Sequence, residues 1–405
     1  MGAVLRIPVM RRLWFAQIIS VFGDFLALFA VISVLTFRWH GTPQQITGVQ
    51  IAYMLPIALL GIMAGVFVDR WPLKPTMVAS DSIRAALVLL LLLATQVWHF
   101  YAILAAISIL SSFFGPAQGV AIRSVVPLHG LRSANALMQQ VMFGMRIIGP
   151  ATAAFLVAAF GPVSCYLIDA ASFIASACLI ASVGLARSEE PVEGASATPP
   201  KHTGLKRIWA DMKQGVHFIV HHAALLFVIL ALASGMFVIG CFGPLIAVYV
   251  RDSLHASTRI FGITSAMIGL GMMVGVNTLN TLGKNVKNTV LVYSGLSGIA
   301  LGLCLLAGVP QVWATIVANF IIGFAVAGII IPAQTMIQQE TPPALMGRVG
   351  STVMSAVFTA QITGLVLSGI LAEHTGVRHV FAICAGLLVV LIIAGRLFME
   401  PRSNP

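Results

Sequence analysis

The sequence predicts an all-helical membrane protein whose twelve transmembrane helices form two similar six-helix bundles. Three observations lead to this fold class. Hydrophobic residues make up 59% of the 405 residues and charged residues only 9%, whereas a soluble domain carries about 25% charged residues. The apolar residues are gathered in twelve runs, each close to the roughly 20 residues that a helix needs to cross a bilayer. Matching residues also recur along the chain at a nearly constant separation.

The twelve predicted spans are separated mostly by connections of a few residues, so neighbouring helices should be antiparallel. The first run is too long for the apolar region of a cleavable signal peptide, and we expect it to remain as the first span. The spans cover residues 13–37, 46–68, 75–96, 98–122, 133–159, 162–186, 223–250, 258–283, 287–308, 311–338, 345–372 and 375–398.

Residues 188–222 form the one long connection. Its first part is acidic and then rich in Ser, Ala, Thr and Pro, a composition typical of a flexible linker. Its second part places Leu205, Trp209 and Val216 at helical spacing beside a basic face, which predicts an amphipathic helix in the membrane interface. The predicted domains are therefore an N-terminal bundle (1–187), a cytoplasmic linker (188–222) and a C-terminal bundle (223–405).

The net charge of +11 comes from Lys and Arg residues spread over the loops, which does not favour binding of nucleic acid. With the N-terminus inside the cell, 17 of the 23 Lys and Arg residues fall in cytoplasmic segments and four in outer ones. Such a bias sets orientation, so we predict an inner-membrane protein with both termini in the cytoplasm. The five Cys residues lack metal-site and disulfide spacing, and we expect a monomer without metal or cofactor.

An internal repeat relates the two halves of the chain. The tripeptide Pro-Ala-Gln at residues 116–118 recurs at 332–334, and an arginine follows sixteen residues after each proline. Gly161 matches Gly376 at a separation of 215, and the other matches fall at 215 to 217. Parallel repeats of six spans around a cavity at the centre of the membrane are typical of many secondary transporters. The prediction of a transport function rests mainly on this repeat.

Two short motifs carry a family resemblance. The connection after the second span contains Gly65, Asp69, Arg70 and Lys74, and it resembles the loop signature of the major facilitator superfamily, although proline interrupts the region of its second glycine. In such a motif, glycine lets helices approach and the carboxylate accepts bonds from basic groups. In the fifth span, Gly144, Gly149 and Pro150 resemble the glycine-proline signature of antiporters, with alanines in place of its final glycine pair.

Further stretches resemble a narrower branch of this superfamily, the one that holds the enterobactin exporter and macrolide efflux pumps. These stretches are residues 80–85, 113–117, 134–137 and 347–349. The resemblance extends over nearly the whole chain. It implies the fold of the superfamily, alternating access to a central cavity, and export of drugs, macrolides or siderophores.

Ionisable side chains inside the predicted spans are the main functional candidates, because a charge at the bilayer centre costs about 2.5–3.5 kcal/mol on insertion scales. Asp24 lies about eleven residues into the first span, close to the centre of the membrane. A buried carboxylate is costly unless it is paired or protonated, so Asp24 is the predicted carrier of a coupling proton. A purely structural Asp is the alternative.

Arg146 lies at similar depth in the fifth span, and three interpretations stay open: it neutralises Asp24, it binds an anionic substrate, or it belongs to a structural ion pair. Asp81 and Arg84 are one helical turn apart near the cytoplasmic end of the third span. We expect them to form a gating or packing network with Asp69 and Arg70. Asp169 is expected near the outer interface.

The substrate wall is predicted from polar side chains at membrane depth. Seventeen Met and 23 Phe residues supply adaptable apolar surface around them. Such a cavity suits a small amphipathic substrate better than a sugar, which needs many paired donors and acceptors. The predicted cavity residues are Gln17, Gln118, Gln139, Gln334 and Gln361.

Three other functions compete with a proton-coupled exporter. A transporter of lysophospholipids with the same fold is the nearest alternative, since related facilitators with Gly-Asp in the first span move such lipids. A membrane-embedded enzyme is disfavoured because the sequence contains neither G-x-S-x-G nor H-E-x-x-H. A channel is disfavoured because two bundles joined by a long central linker suit a rocking motion better than a fixed pore.

Overall fold

The computed structural model of the chain describes residues 2–68, 71–184, 216–281, 286–342 and 345–398. These ranges are helical and contain no strand, and eleven of their helices are long and apolar enough to cross a membrane. The predicted fold class is therefore confirmed. The twelve long helices are α1 (Pro8–Ser33), α2 (Pro43–Val68), α3 (Leu73–Leu90), α4 (Val97–Val125), α5 (Leu131–Phe160), α6 (Pro162–Ala181), α7 (Ala223–Asp252), α8 (Thr258–Thr281), α9 (Asn288–Gly308), α10 (Val312–Glu340), α11 (Met346–Thr375) and α12 (Val377–Phe398).

The internal repeat is visible in the backbone. Gly161, between α5 and α6, has φ +81°, and Gly376, between α11 and α12, has φ +86°. His40 and His255 take the same left-handed conformation, with φ 49° and 48°, which is uncommon for a residue with a Cβ. Both pairs are separated by 215 residues, so the two halves end corresponding helices in the same way.

Helix starts repeat as well. Gln96 precedes α4 and accepts a hydrogen bond from the indole N–H of Trp98. Gln311 precedes α10 and accepts the equivalent bond from Trp313. The proline of the repeated Pro-Ala-Gln motif lies inside each of these two helices, where it removes a backbone hydrogen bond and favours a kink. The sequence match at 215 to 217 residues thus corresponds to matched local structure.

Packing divides the chain into two compact units. The first unit comprises Met1–Ser188, Pro244–Gly269 and Ser368–Val377, and the second comprises Glu189–Gly243, Leu270–Leu367 and Arg378–Pro405. In the first unit α1 packs against α5 and α6, α2 against α4, and α3 against α4 and α6. In the second unit the largest contact joins α9 and α10.

The predicted linker stays a prediction. Most of it, residues 188–215, lies outside the described residues, and residues 216–220 form a short helical segment. The helical spacing expected around Trp209 lies in the part that is not described.

The end of α1 is joined to α7 and α8 inside the first unit. Arg251, at the end of α7, donates from Nη1 to the carbonyl oxygens of Thr36 at 3.0 Å and Gly41 at 2.8 Å. Phe29 stacks on Phe261 of α8, with ring centroids 4.5 Å apart. These contacts bring the second-half segment 244–269 into the unit of the first half.

Candidate transport site

The first unit contains a cavity of about 260 Å³ among α1 to α5. Most of its lining comes from α1 and α4, with single residues from α2, α3 and α5. The polar lining residues are Gln17, Ser20, Asp24, Tyr53, Arg84, Ser111 and Gln118, and the others are Val21, Phe25, Leu28, Phe114, Gly115 and Met142. The wall thus combines one carboxyl group and one guanidinium with amide, hydroxyl, aromatic and thioether groups.

Two of the five predicted cavity glutamines meet in this cavity. Gln118 donates from Nε2 to Oε1 of Gln17 at 2.8 Å, which ties α4 to α1. Gln139 is exposed on α5 and does not line the cavity. Gln334 and Gln361 belong to the second unit. The structure therefore supports Gln17 and Gln118 as wall residues and gives no such place to Gln139.

Arg84 is held between two phenyl rings. Its Cζ atom lies 4.7 Å from the ring centroid of Phe114 and 4.4 Å from that of Phe173, and such cation–π contacts stabilise a desolvated guanidinium. Nη1 donates to Oγ of Ser111 at 3.3 Å, and the side chain is only 3% exposed. Its Nε has no acceptor among the described residues. The guanidinium of Arg84 is thus held in place, and its Nε–H remains available as a hydrogen-bond donor.

Asp81 is the direct partner of Arg84. Its Oδ1 forms an ion pair with Nη2 of Arg84, and its Oδ2 accepts a hydrogen bond of 2.6 Å from Ser176 of α6. Asp81 is 0% exposed. A buried ion pair of this kind needs such added hydrogen bonds to offset desolvation. Asp81 therefore fixes Arg84 and ties α3 to α6, rather than facing the cavity.

Asp24 faces the cavity and has no direct partner. It is half-buried and lines the cavity together with Arg84. It forms no hydrogen bond or ion pair with any residue that the structure describes, although Arg84 and Asp81 lie within electrostatic range. Asp24 is thus the one carboxyl group of this network that a solute or water in the cavity can reach.

Asp169 lies beside Asp24 but is shut off from the cavity. It is 1% exposed, and its carboxylate accepts a bond of 3.3 Å from Ser172, one turn along α6. Its side chain packs directly on the backbone of Gly23, where a Cβ would overlap with Asp169 and Ser172. The expectation of a position near the outer interface is wrong, because α6 turns this side chain onto α1.

The comparison with known sequences decides the family. The sequence profile of the Major Facilitator Superfamily matches residues 13–355 and 228–405. The chain belongs to the Major Facilitator Superfamily. It is therefore a transporter and not an enzyme, as the repeat and the motifs predicted.

Several relatives match this facilitator over nearly its whole length. It is 27% identical over 409 residues to the uncharacterized MFS-type transporter YfiS of Bacillus subtilis, covering 96% of this chain and 95% of the relative. It is 24% identical over 401 residues to macrolide efflux protein A of Streptococcus pyogenes, covering 96% of each. It is 24% identical over 387 residues to the multidrug efflux pump Tap of Mycolicibacterium fortuitum, covering 90% of each. The predicted resemblance to an efflux branch is confirmed.

Solved structures share the fold of this facilitator. The nucleoside transporter NupG superposes with a TM-score of 0.72 at 16% identity, covering 97% of this chain and 100% of NupG. A bacterial homologue of the human lysosomal transporter Spinster gives 0.72 at 13% identity, covering 98% of both chains. At these identities the likeness concerns the fold alone.

Arg146 of this facilitator does not pair with Asp24. Its side chain is exposed and forms no ion pair with a described residue, and it does not line the cavity. Its backbone carbonyl packs on Gly269 of α8, where a Cβ would come within 2.7 Å of the oxygen. The structure gives Arg84 the place beside Asp24 that the sequence analysis gave to Arg146.

The antiporter-like motif divides into a packed and an open part. A Cβ at Gly149 would come within 2.7 Å of Phe25 of α1, whereas a Cβ at Gly144 would meet open space. A Cβ placed on Gly262 of α8 would lie 3.0 Å from the carbonyl oxygen of Pro150. Gly149 and Pro150 therefore lie at close helix contacts, and Gly144 does not.

The predicted gating network is only partly described. Asp69 and Arg70 lie outside the described residues, Gly65 is near the end of α2, and Lys74 is in the first turn of α3. Asp81 and Arg84 form a buried packing contact, one of the two roles expected for them, and Arg84 also lines the cavity with Asp24. Their grouping with Asp69 and Arg70 in a gate stays a prediction.

The sequence indicated Asp169 but not its network partners Ser172 and Ser176, nor Tyr53. On α6, Asp169, Ser172 and Ser176 follow one another at spacings of three and four residues, which places them on one helix face. This polar stripe in an apolar helix was a usable signal. Tyr53 carried no comparable signal, because only apolar residues follow it in α2.

The close approach of α1 and α6 leads to a stability prediction. Gly23→Ala should lower the Tm of the purified protein, because the added methyl group overlaps with Asp169 and Ser172 and overpacking costs about 1–3 kcal/mol. Gly144→Ala is the matched control, since its methyl group would meet open space. Equal Tm values for the two variants in detergent would contradict the close contact.

Proposed function

We propose that this facilitator is a proton-coupled exporter of amphipathic small molecules. The observation that carries the proposal is the charge imbalance at the cavity. Asp24, Asp81 and Asp169 lie within electrostatic range of one another and of a single guanidinium, Arg84. Fully ionised, these four groups would hold two uncompensated negative charges inside the membrane. Because buried charge is costly, a proton at one carboxyl group relieves part of this imbalance.

Asp24 is the proposed carrier of that proton. Asp81 is paired with Arg84 and Ser176, and Asp169 is covered by the backbone of Gly23. Asp24 alone opens into the cavity. A carboxyl group that is reachable from the cavity can take up a proton from one side of the membrane and release it on the other as access alternates.

The lining supports an amphipathic substrate. Phe25, Leu28, Phe114 and Met142 offer apolar and aromatic surface, and the paired amides of Gln17 and Gln118 offer a few hydrogen bonds. Pockets for small molecules typically combine apolar walls with few polar groups. The relatives named as macrolide and multidrug efflux pumps favour export of such compounds.

The proposed setting of the exporter follows the charge bias of the loops. We place it in the inner membrane as a monomer with both termini in the cytoplasm. The bundles 1–187 and 223–405 would rock about the linker 188–222, and Gly65, Asp69, Arg70 and Lys74 would belong to a cytoplasmic gate. These assignments come from the sequence.

A transport panel tests the proposal. Cells that lack their own efflux pumps, with and without this protein, are loaded with erythromycin, ethidium or a fluorescent lysophospholipid, and release is followed with and without a protonophore. We expect faster release of erythromycin or ethidium, and loss of that difference with protonophore. Release of lysophospholipid alone, independent of protonophore, would favour the lipid transporter. Release that never saturates with concentration would favour a channel.

A further inference from the structure

A second cavity lies at the C-terminal end of α1. Its volume is about 330 Å³, and it is formed inside the first unit by the ends of α1 and α5 and the start of α8. Its cationic lining residues are Arg38 and Arg259, and the hydroxyl groups of Ser257 and Thr258, which directly precede Arg259, also line it. No acidic residue is among the described residues that line it. The cavity is thus basic and rich in donors.

The two arginines have no protein partner in the described part of the chain. Neither Arg38 nor Arg259 forms a hydrogen bond or ion pair there, and both are exposed. The neighbouring acid, Asp252, already forms an ion pair with Arg251. Two guanidinium groups around one cavity repel each other, and this arrangement becomes favourable when an anion lies between them.

The backbone aims Arg38 at this place. After Ser33 the helix widens into a π-helical turn over Val34–Arg38, closed by a bond of 3.0 Å from Trp39 N–H to the carbonyl of Val34. Such turns are rare in proteins, and those that occur are often found at functional sites. The turn changes the helix phase just before Arg38, whose guanidinium then lies over Gly161 at the α5–α6 junction.

The apolar half of the wall indicates the kind of anion. Val34, Phe37, Val157 and Ala158 line the same cavity as the two arginines. Free phosphate would gain nothing from these side chains, whereas the glycerol and first acyl carbons of a lipid would. Arginine binds phosphate oxygens in bidentate fashion. We propose that Arg38 and Arg259 bind the phosphate of an anionic glycerophospholipid, with its glycerol part against Val34 and Phe37.

The bound headgroup would strengthen an existing joint. Oγ of Ser33 donates to Oγ1 of Thr258 at 3.2 Å, and Phe29 stacks on Phe261 one turn away. A phosphate shared by Arg38 and Arg259 adds a bridge between α1 and α8. If the end of α1 and the start of α8 separate during transport, the bound lipid favours the state in which they are in contact. This consequence rests on the proposed function. The binding itself does not depend on transport.

Thermal unfolding of the purified full chain in detergent tests the binding. Dioleoyl-phosphatidylglycerol is titrated at constant total lipid, with dioleoyl-phosphatidylcholine making up the remainder, and inorganic phosphate is titrated separately. We expect phosphatidylglycerol to raise the Tm, because a ligand that binds the folded state stabilises it. Phosphatidylcholine and inorganic phosphate at equal concentration should not do so.

The variants decide where the lipid binds. Arg38→Gln and Arg259→Gln should each raise, by about tenfold, the phosphatidylglycerol concentration that gives half of the maximal rise in Tm. This is the loss of affinity expected for one charge-assisted hydrogen bond. Arg378→Gln is the matched control, because this exposed arginine donates to the carbonyls of Ala307 and Gly308 instead. A wild-type response in both cavity variants would overturn the proposal, as would an equal response to inorganic phosphate. Both arginines are exposed, so folding should survive their replacement.

Discussion

Asp24→Asn is expected to abolish uphill transport driven by a pH gradient while substrate exchange at equal pH continues. The amide has nearly the shape of the protonated carboxyl group, and it cannot release a proton. Asp24 is the only one of the three clustered carboxyl groups that lines the cavity. The substrate step itself requires no titration, so exchange should persist when no proton has to move.

Proteoliposomes separate the two activities. Accumulation of erythromycin, or of whichever panel compound is transported, is measured with an imposed pH gradient, and exchange of labelled against unlabelled compound is measured without one. Asp252→Asn is the control, because this exposed acid pairs with Arg251 and a surface ion pair contributes about 0–1 kcal/mol. Uphill accumulation in Asp24→Asn would move the coupling site to Asp169. Loss of exchange as well would make Asp24 a substrate contact.

The helices could be predicted from the sequence more reliably than their ends. The first span was predicted at residues 13–37, whereas α1 begins at Pro8 and includes Arg11 and Arg12. The apolar pattern marks only the part that lies in lipid, but the backbone continues its hydrogen bonds into the polar region. There Arg12 donates to the carbonyl of Ser182, 2.5 Å away, which holds α1 against the end of α6. Such long-range contacts leave no periodic signal.

The internal repeat was predictable, and its conformational meaning was not. The match of Gly161 with Gly376 was found by sequence, and both residues adopt positive φ. His40 and His255 adopt the same left-handed conformation, in which histidine is enriched several-fold among residues with a Cβ. This second match at 215 residues was not found from the sequence.

Of the two charged residues that line the cavity, Asp24 could be predicted from the sequence and Arg84 could not. Asp24 was identified because a carboxyl group deep in an apolar run is costly wherever its helix faces. Depth made Arg146 one candidate for its cationic neighbour, but depth does not give the rotation of a helix. Arg84 is the cationic residue that lines the cavity with Asp24, and the phenyl rings of Phe114 and Phe173 hold its guanidinium. Neither ring could be linked to Arg84 without the packing of α3, α4 and α6.

Arg84→Gln should have the second large effect, a loss of both stability and transport. Removing the guanidinium leaves Asp81 buried without its counter-charge, and breaking a buried ion pair from one side costs about 3–5 kcal/mol. It also leaves Asp24 without the positive charge that lines the same cavity. We expect a lower Tm in detergent and transport at the level of protein-free liposomes. Arg84→Lys should recover part of both, because it keeps the charge and loses the stacking of a planar group.

The double variant Arg84→Gln/Asp81→Asn separates the structural part of this effect from the functional part. Replacing both partners removes the unpaired buried charge, which is what makes breaking the pair from one side so costly. The Tm should therefore return toward the wild-type value, and Ser176 can still donate to the remaining oxygen of residue 81. Proton-driven transport should stay absent, because Asp24 still lacks its cationic neighbour. Recovery of uphill transport together with the Tm would show that Arg84 serves only to neutralise Asp81, and Asp24 would then have to bind and release its proton without help from a fixed charge.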